Sequence, residues 1–265
     1  MNLKGSIVII TGASSGIGEA SAKRLAQAGA RVILLARSIQ NLERVKLEIN
    51  TLGGEAQVFS LDLGDQVAVS RVAQSIQDNI GIPDAMIHSA GAGRWLWLEE
   101  TTAQEAKTMM DAPFFGAMWL TQAFLPAMLE RHSGRIVFIG SPAAWVAWSG
   151  ATVYAASRWA LRGLYEALRA DLVGTGVGVS MIVSGQVKSP YFEHNPGVIE
   201  RFPSLGKLIP AVTPEDVARA VQTALERESR IIVLPWMVGT MLIFNQMLPR
   251  LVEWLVISSS YKPKR

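Results

Sequence analysis

The chain of 265 residues contains no cysteine and only three histidines. The lack of cysteine excludes a disulfide framework, thiolate chemistry and a cysteine-based metal site. The histidines His88, His132 and His194 are far apart and lack the spacing of metal ligands, so we predict no bound metal. A chain without cysteine is compatible with a reducing compartment, and we expect a cytoplasmic protein, with membrane association as an alternative considered below.

Charged residues are also scarce, at 18% against 49% hydrophobic residues. This composition can bury a large core and is not typical of a disordered chain. The net charge is only +3, and the basic residues are scattered apart from the terminal KPKR. We therefore expect no nucleic acid partner. The apolar run in the initial MNLKGSIVII is too short for a signal peptide.

Short apolar runs alternate with helical stretches along the chain. The seven runs that we interpret as strands are 6–10, 31–35, 56–62, 84–91, 134–141, 178–185 and 230–234. Fully apolar strands between helices are typical of a parallel sheet that is covered on both faces, and right-handed crossovers make such a sheet doubly wound. No linker or repeat interrupts the pattern. We predict one α/β domain over residues 1–265, a doubly wound Rossmann fold with a seven-stranded parallel sheet and helices on both faces.

A glycine-rich stretch, TGASSGIG at 11–18, follows the first strand and begins a helix. Gly12 permits a tight turn, Gly16 lets the backbone approach a phosphate, and Gly18 allows close helix packing. The helix N-terminus offers N–H groups and a positive dipole end to a pyrophosphate. In this βαβ context the stretch predicts a dinucleotide site. The other loop residues predicted to contact the dinucleotide are Ser14, Ser15 and Ile17.

The end of the second strand indicates which nicotinamide cofactor is preferred. An acidic residue there would bind the ribose 2′-OH and repel a 2′-phosphate, but this chain has Ala36-Arg37-Ser38. Arg37 is suited to a bidentate grip on a phosphate, and Ser38 or Ser14 could add a hydroxyl donor. The alternative is that Arg37 is a solvated surface residue. We expect NADP(H) to be favoured over NAD(H).

Tyr154 and Arg158 are four residues apart in a predicted helix and therefore share one face of it. Ser141 ends the fifth strand, at the sheet edge where open α/β folds bind ligands. A tyrosine can give a proton to a carbonyl oxygen while hydride arrives at the carbon, if a cation stabilises the phenolate. A serine hydroxyl can polarise the same oxygen. The three residues are candidate catalytic groups.

Residues 5–235 resemble the short-chain dehydrogenase/reductase family, of the shorter single-domain kind. The resemblance rests on three patterns: the TGxxxGxG spacing, the Tyr-x-x-x-basic pair, and the serine thirteen residues before the tyrosine. The resemblance implies an NAD(P)-dependent enzyme acting on CH–OH or C=O groups, with Ser141 and Tyr154 as its catalytic serine and tyrosine. We also expect a homodimer or homotetramer. The further residues that we assign to the cofactor by this resemblance are Asp62 and Leu63 at the adenine, Ala90 and Gly91 in the turn beside the cofactor, Tyr154, Arg158, Gly185 and Val187.

The chain departs from the family pattern at several positions. Arg158 replaces the usual lysine, which keeps the charge but does not readily release a proton. Pro113 replaces an asparagine of the preceding long helix, and either frees the Met109 carbonyl while keeping a kink or simply loses that function. Ser184 replaces a proline, and His88-Ser89 replace two asparagines. Two functions therefore stay open: an active enzyme, or a dinucleotide-binding sensor or scaffold with weak or no catalysis.

Tryptophans and the C-terminal segment bear on the partners. Trp95, Trp97, Trp145 and Trp148 follow strands four and five, so we expect an apolar pocket for a hydrophobic small-molecule substrate, although some of them could pack elsewhere. The apolar extension 235–265 is divided by prolines into two short helices. Three interpretations stay open: helices that cover the core, a subunit interface, or a peripheral membrane contact with KPKR at anionic lipid.

Overall fold

The structure, a computed structural model, describes residues 1–91, 93–195 and 197–262. Its centre is a seven-stranded sheet in the order β3-β2-β1-β4-β5-β6-β7, and every neighbouring pair is parallel. The strands are β1 (Ile7–Thr11), β2 (Arg31–Ala36), β3 (Glu55–Ser60), β4 (Ala85–His88), β5 (Gly134–Gly140), β6 (Val177–Ser184) and β7 (Ile231–Leu234). The predicted seven-stranded, doubly wound parallel sheet is confirmed.

Helices cover both faces of this sheet. They are α1 (Gly16–Gln27), α2 (Ile39–Thr51), α3 (Gln66–Asn79), α4 (Ala103–Met110), α5 (Ala117–Glu130), α6 (Thr152–Asp171), α7 (Tyr191–His194), α8 (Pro214–Arg227), α9 (Trp236–Met247) and α10 (Pro249–Ser259). Within β1, Val8 and Ile10 join the core cluster under α1, α2 and α8, and Ile9 joins the cluster under α3, α5 and α6. Where both faces of a strand are buried, as in β1 and β2, the sequence is a nearly continuous apolar run, whereas the edge strand β3 exposes Glu55 and Gln57.

Residues 103–130 form one continuous helical run in which a six-residue π-helical segment, Asp111–Gly116, joins α4 to α5. By length and composition alone this run is apolar enough to cross a membrane. In the structure, Leu120, Phe124 and Met128 are completely buried in the cluster that covers one sheet face. These buried residues place one side of the run over the sheet.

The C-terminal extension folds into the two short helices that the prolines predict, α9 and α10. Their inner faces bury Val238, Leu242 and Val252. An amide hydrogen bond from Asn245 to the Trp145 carbonyl, at 3.4 Å, also attaches α9 to the domain. The last three residues, 263–265, which carry most of the basic KPKR stretch, lie outside the described residues.

Candidate active site

The glycine loop leads from β1 into α1, and two of its glycines have left-handed backbone angles, with φ of +66° at Gly12 and +54° at Gly16. A β-carbon at Gly18 would lie 2.6 Å from the carbonyl carbon of Gly12 and closer still to its oxygen. Ser15 is the N-cap residue of α1, and its hydroxyl makes no capping hydrogen bond. The loop therefore brings bare backbone to a helix N-terminus, which fits the predicted pyrophosphate site.

Thr11, at the end of β1, fixes the turn that follows β4. Its hydroxyl oxygen accepts hydrogen bonds from the backbone N–H groups of Ser89 and Ala90, each at 3.1 Å. The Ser89 hydroxyl in turn donates to the Thr11 carbonyl at 2.7 Å. A β-carbon at Gly12 would lie 2.9 Å from the Ala90 Cα. Two of the predicted cofactor segments, the glycine loop and the Ala90-Gly91 turn, are thus in direct backbone contact.

His88, the last residue of β4, is buried. Its Nε2 forms a hydrogen bond of 2.9 Å with the Thr121 hydroxyl, and its ring stacks on Phe138 with centroids 5.0 Å apart. Complete burial lowers the pKa of His88 to about 3, because a charged imidazolium would lose its hydration. His88 is therefore neutral at physiological pH and serves the packing between β4 and α5.

The predicted adenosine end of the site lies at the ends of β2 and β3. Arg37 is exposed, and its carbonyl accepts from the Ser60 hydroxyl at 2.8 Å. Within the described residues no carboxylate lies at ion-pair distance from its guanidinium. Asp62 is exposed and accepts from the Gly64 N–H at 2.9 Å, while Leu63 is buried. Ser38, our candidate donor to a 2′-phosphate, caps α2 by accepting from the Asn41 N–H, and its own O–H donates to Gln40 at 3.4 Å, so its role toward a phosphate stays a prediction.

A charged cluster that sequence reasoning missed borders the glycine loop. Arg44 on α2 pairs with Glu19 and Glu48, each at 2.7 Å, and also donates to the Ser14 carbonyl at 3.3 Å. Hydrogen bonds to the two carboxylates raise the pKa of Arg44, and those from Lys23 and Arg44 lower the pKa of Glu48. Two carboxylates already neutralise Arg44, whereas Arg37 forms no ion pair among the described residues, so Arg37 stays the predicted phosphate contact.

Tyr154 and Arg158 lie on one face of α6, as their spacing predicts, and both side chains are buried. The Arg158 guanidinium carbon lies 4.7 Å from the centroid of the Tyr154 ring, over its face. A β-carbon at Gly91 would be 3.1 Å from Arg158 Nη2. The guanidinium is thus stacked on the tyrosine and reaches the cofactor turn at the same time.

Ser141 follows β5 and begins a short 3₁₀ turn, 142–144, by accepting from the Ala143 N–H at 3.3 Å. It shares the wall of one cavity with Tyr154 and Arg158. The serine hydroxyl is therefore held at the same sheet edge as the tyrosine and the arginine. The structure brings together the three candidate catalytic residues.

Tyr191, the first residue of α7, is a site residue that sequence reasoning missed. Its hydroxyl donates to the Gly93 carbonyl at 2.9 Å and lies in hydrogen-bonding contact with Trp95 and Tyr154. Burial raises the pKa of Tyr191 well above its usual range, and the neighbouring Tyr154 raises it further. Tyr191 therefore stays protonated beside Tyr154. No local spacing signals this contact, because it joins segments 37 residues apart in the chain.

Pro113 lies inside the π-helical segment 111–116 and is buried. A β-carbon at Gly116, in the same segment, would be 2.6 Å from the Leu63 Cβ, so the distorted turn packs against the loop after β3. The proline removes a backbone donor, and the backbone departs from α-helical geometry where that donor is missing. The helical run is thus distorted at Pro113, and both interpretations of this residue, a freed Met109 carbonyl with a kept kink or a simple loss of the asparagine's function, stay open.

The loop after β6 is fixed by strand-like contacts. Gly185 donates to the Leu234 carbonyl at 2.8 Å, and Val187 forms an isolated parallel bridge with Val212. Both residues line the same cavity as Ser141, and so does Ser184, which stands in place of a proline. The replacement at 184 therefore leaves a well-anchored loop.

This cavity, of about 600 Å³, extends from the cofactor turn to the C-terminal helices. The predicted site residues along its wall are Ile17, Ala90, Gly91, Ser141, Tyr154, Arg158, Gly185 and Val187. The predicted residues outside it are Gly12, Ser14, Ser15, Gly16, Gly18, Arg37, Asp62 and Leu63, which lie in the glycine loop and at the ends of β2 and β3. The assignment of the two groups to the cofactor stays a prediction.

The tryptophans divide between the cavity and other contacts. Trp95 and Trp148 line the cavity, with ring centroids 5.0 Å apart, and Trp95 also lies 5.6 Å from the Tyr154 ring. Trp97 instead packs near Tyr261, and Trp145 lies under the Arg162 guanidinium, 4.4 Å from it. The expected aromatic pocket is thus present, but two of the four candidate tryptophans do not line it.

Comparison with known proteins agrees with this geometry. A family model described as short chain dehydrogenase matches residues 6–196. The chain belongs to the short-chain dehydrogenase family. Among its relatives, an uncharacterized oxidoreductase of Mycobacterium bovis is 34% identical over 86% of this chain. The match covers 66% of that protein, so the chain spans slightly less than two thirds of it.

Two further members of the family are informative. The fatty acyl-CoA reductase of Acinetobacter baylyi is 32% identical over 87% of this chain and 76% of its own length. A metagenomic short-chain oxidoreductase, solved in complex with NADP, has a TM-score of 0.74 and 29% identity, over 88% of this chain and 97% of that one. Of the departures from the family pattern, Arg158 lies over the ring of the candidate catalytic tyrosine.

Proposed function

We propose that this short-chain dehydrogenase is an NADP(H)-dependent oxidoreductase acting on a carbonyl or alcohol group of a hydrophobic small molecule. The observation that carries the proposal is one cavity wall that holds Ser141, Tyr154 and Arg158 and continues into an apolar interior. A protein that only binds a dinucleotide does not require a buried tyrosine with a stacked cation beside a serine hydroxyl.

The residues of the chain fit a dinucleotide. A side chain at Gly12 or Gly18 would collide with neighbouring backbone, so the loop has room only for bare peptide at the phosphate position. The nicotinamide would lie along the turn of Ala90 and Gly91, where it would supply or accept the hydride. Ile17 and Val187 would flank it from the glycine loop and from the loop after β6.

Tyr154 is the proton donor in the direction of reduction. Arg158 lies over its ring, with the guanidinium carbon 4.7 Å from the ring centroid, and a cation there stabilises the negative charge that develops on the phenol oxygen as the proton leaves. Ser141 donates a hydrogen bond to the same substrate oxygen and polarises it. Because Arg158 does not readily release a proton, it acts by charge and position, and the proton returns to Tyr154 by another route.

The NADP(H) preference rests on the end of β2. Arg37 is exposed there, has no carboxylate partner among the described residues, and follows a strand that ends without an acidic side chain. A guanidinium in this position attracts the 2′-phosphate that distinguishes the two cofactors. The NADP complex of the metagenomic relative supports this choice.

The substrate class follows from the cavity beyond the catalytic residues. Its wall there is formed by Trp148, Phe202, Met241 and side chains of α10, which favour an apolar body over a polar one. The fatty acyl-CoA reductase among the relatives supports a substrate with a hydrocarbon chain.

The test is a coupled measurement of binding and turnover. Dissociation constants for NADPH and NADH are compared by fluorescence titration, and NADPH oxidation is followed with straight-chain aldehydes and ketones of increasing length. We expect tighter NADPH binding and a kcat/KM that rises with chain length. Tighter NADH binding contradicts the cofactor choice. NADPH binding with no turnover on the whole series favours the sensor or scaffold function.

A further inference from the structure

The outer face of the C-terminal helices is apolar and exposed. In α9, Ile243, Phe244 and Met247 expose 59%, 57% and 71% of their surface, and in α10, Leu251 and Trp254 expose 49% and 63%. In α9 the second and third of these residues follow the first by one and four positions, and in α10 the second follows the first by three. Residues at these spacings lie on one side of a helix, so each helix presents an apolar side outward. We call these five residues, with Leu255, the outer face.

This face belongs to a well-anchored part of the fold. Behind it, α9 and α10 bury Val238, Leu242 and Val252. At the end of α10, the Ser259 carbonyl accepts from the Ser204 hydroxyl at 3.2 Å. The two helices that carry the exposed side chains are therefore anchored to the domain, and a contiguous exposed apolar surface is typical of an interaction site.

The face is continuous with the substrate cavity. Phe244, Leu251 and Leu255 line the cavity and are also among the exposed residues, so the cavity opens between them. Ile243, Met247 and Trp254 belong to the face but not to the cavity wall. An apolar molecule that leaves the cavity by this route would meet another apolar surface before it meets water.

Charge in the same segment has one predominant sign. From 236 to the end of the sequence the basic residues are Arg250, Lys262, Lys264 and Arg265 and the acidic residue is Glu253, a net charge of 4 − 1 = +3. The whole chain also carries +3, so the remainder is neutral on balance. Apolar side chains with a tryptophan and flanking basic residues match the interface of an anionic bilayer.

We propose that the outer face is a docking surface for an anionic lipid bilayer and that the cavity opens into it. α9 and α10 lie in the plane of the interface, because each is far shorter than the roughly 20 residues of a membrane span. The docking needs no catalysis. Only the corollary, that a lipophilic substrate enters from the bilayer, rests on the proposed function.

The docking is tested by co-sedimentation of the full chain with vesicles of phosphatidylcholine mixed with an equal part of phosphatidylglycerol, without cofactor or substrate. The variant carries Ile243→Ser, Met247→Ser and Trp254→Ser. The matched control is Leu47→Ser, at a side chain that is 67% exposed on α2. NADPH affinity checks the folding of each variant, and sedimentation velocity gives its oligomeric state.

We expect the wild type and the control to sediment with the vesicles. The triple variant should lose on the order of tenfold in partitioning for each side chain removed. Wild-type protein that stays in the supernatant overturns the proposal. So does a folded triple variant that sediments like the wild type. A triple variant that dissociates into monomers, beside a wild type that does not bind vesicles, identifies the face as a contact between copies of the chain.

Activity measurements separate the docking from the proposed function. The triple variant should keep its turnover on a short, water-soluble aldehyde and lose turnover on a long-chain aldehyde dissolved in vesicles. Vesicle binding without any turnover refutes the function and leaves the docking intact. Equal losses on both aldehydes in a folded variant overturn the entry route from the bilayer.

Discussion

Gly18 offers a prediction whose size follows from the geometry of the glycine loop. In Gly18→Ala the new methyl group would lie 2.6 Å from the Gly12 carbonyl carbon and 2.8 Å from the Ser89 hydroxyl. The nearest neighbour is backbone and cannot rotate away, so the loop or the start of α1 must shift. Overpacking of this kind costs about 1–3 kcal/mol, and contact with backbone places Gly18→Ala near the upper limit.

Gly163→Ala is the matched control for this change. Gly163 is exposed in α6, and a β-carbon there meets no atom within 4 Å. Because alanine is the better helix former, this variant should gain about 0.5–1 kcal/mol. The same chemical change is thus expected to act with opposite sign at two glycines.

The free energy of unfolding is measured by urea denaturation of the wild type and both variants, and NADPH affinity is measured by fluorescence. Gly18→Ala should lower stability and weaken NADPH binding, whereas Gly163→Ala should change only stability, and upward. A Gly18→Ala protein with wild-type stability and wild-type NADPH affinity would refute the structural account of the loop.

Three further changes test other parts of the site. Arg158→Lys removes the stacked guanidinium and adds a group that can exchange a proton. We therefore expect kcat to change by roughly tenfold and the pH–rate profile to differ from that of the wild type. An unchanged pH–rate profile would show that Arg158 takes no part in the proton transfer. Arg37→Gln should raise the NADPH dissociation constant on the order of tenfold and leave the NADH dissociation constant nearly unchanged. Equal effects on the two constants would show that Arg37 does not bind the 2′-phosphate. The pKa of His88 is about 3 in the folded state and 6.5 when exposed, so between these values the unfolded chain binds a proton that the folded chain does not. The free energy of unfolding should therefore fall as pH drops from 6.5 towards 3, by at most about 1.4 kcal/mol per pH unit. His88→Asn should flatten that dependence in urea denaturation, and identical pH slopes for both proteins would contradict the burial argument.

Much of the fold was predictable because its signals are local. β2 begins at the predicted residue 31 and ends one residue later than predicted, and β1 differs from its prediction by one residue at each end. Continuous apolar runs and glycine breaks determine such elements without long-range information. β4 is shorter than predicted and ends at His88, because the segment after it turns towards Thr11 instead of continuing the sheet.

The candidate site was predictable only where its residues carry a pattern. Ser141, Tyr154 and the glycines have fixed spacings, and the structure brings them to one sheet edge. Tyr191 and Arg44 have no such pattern, since their contacts with Tyr154 and with the Ser14 carbonyl depend on how separate segments pack.

Several expectations stay predictions. They are the single domain over 1–265, the homodimer or homotetramer and the cytoplasmic location. The roles assigned to Asp62 and Leu63, which follow the end of β3, also stay predictions.

The proposed reaction depends most on Tyr154 as the proton donor. The most direct test is the turnover number of Tyr154→Phe with NADPH and a long-chain aldehyde, beside its NADPH dissociation constant. The account predicts that kcat falls by at least roughly a hundredfold, because the phenol supplies the proton, while NADPH affinity stays within a few fold of the wild type. Full activity in Tyr154→Phe would contradict it.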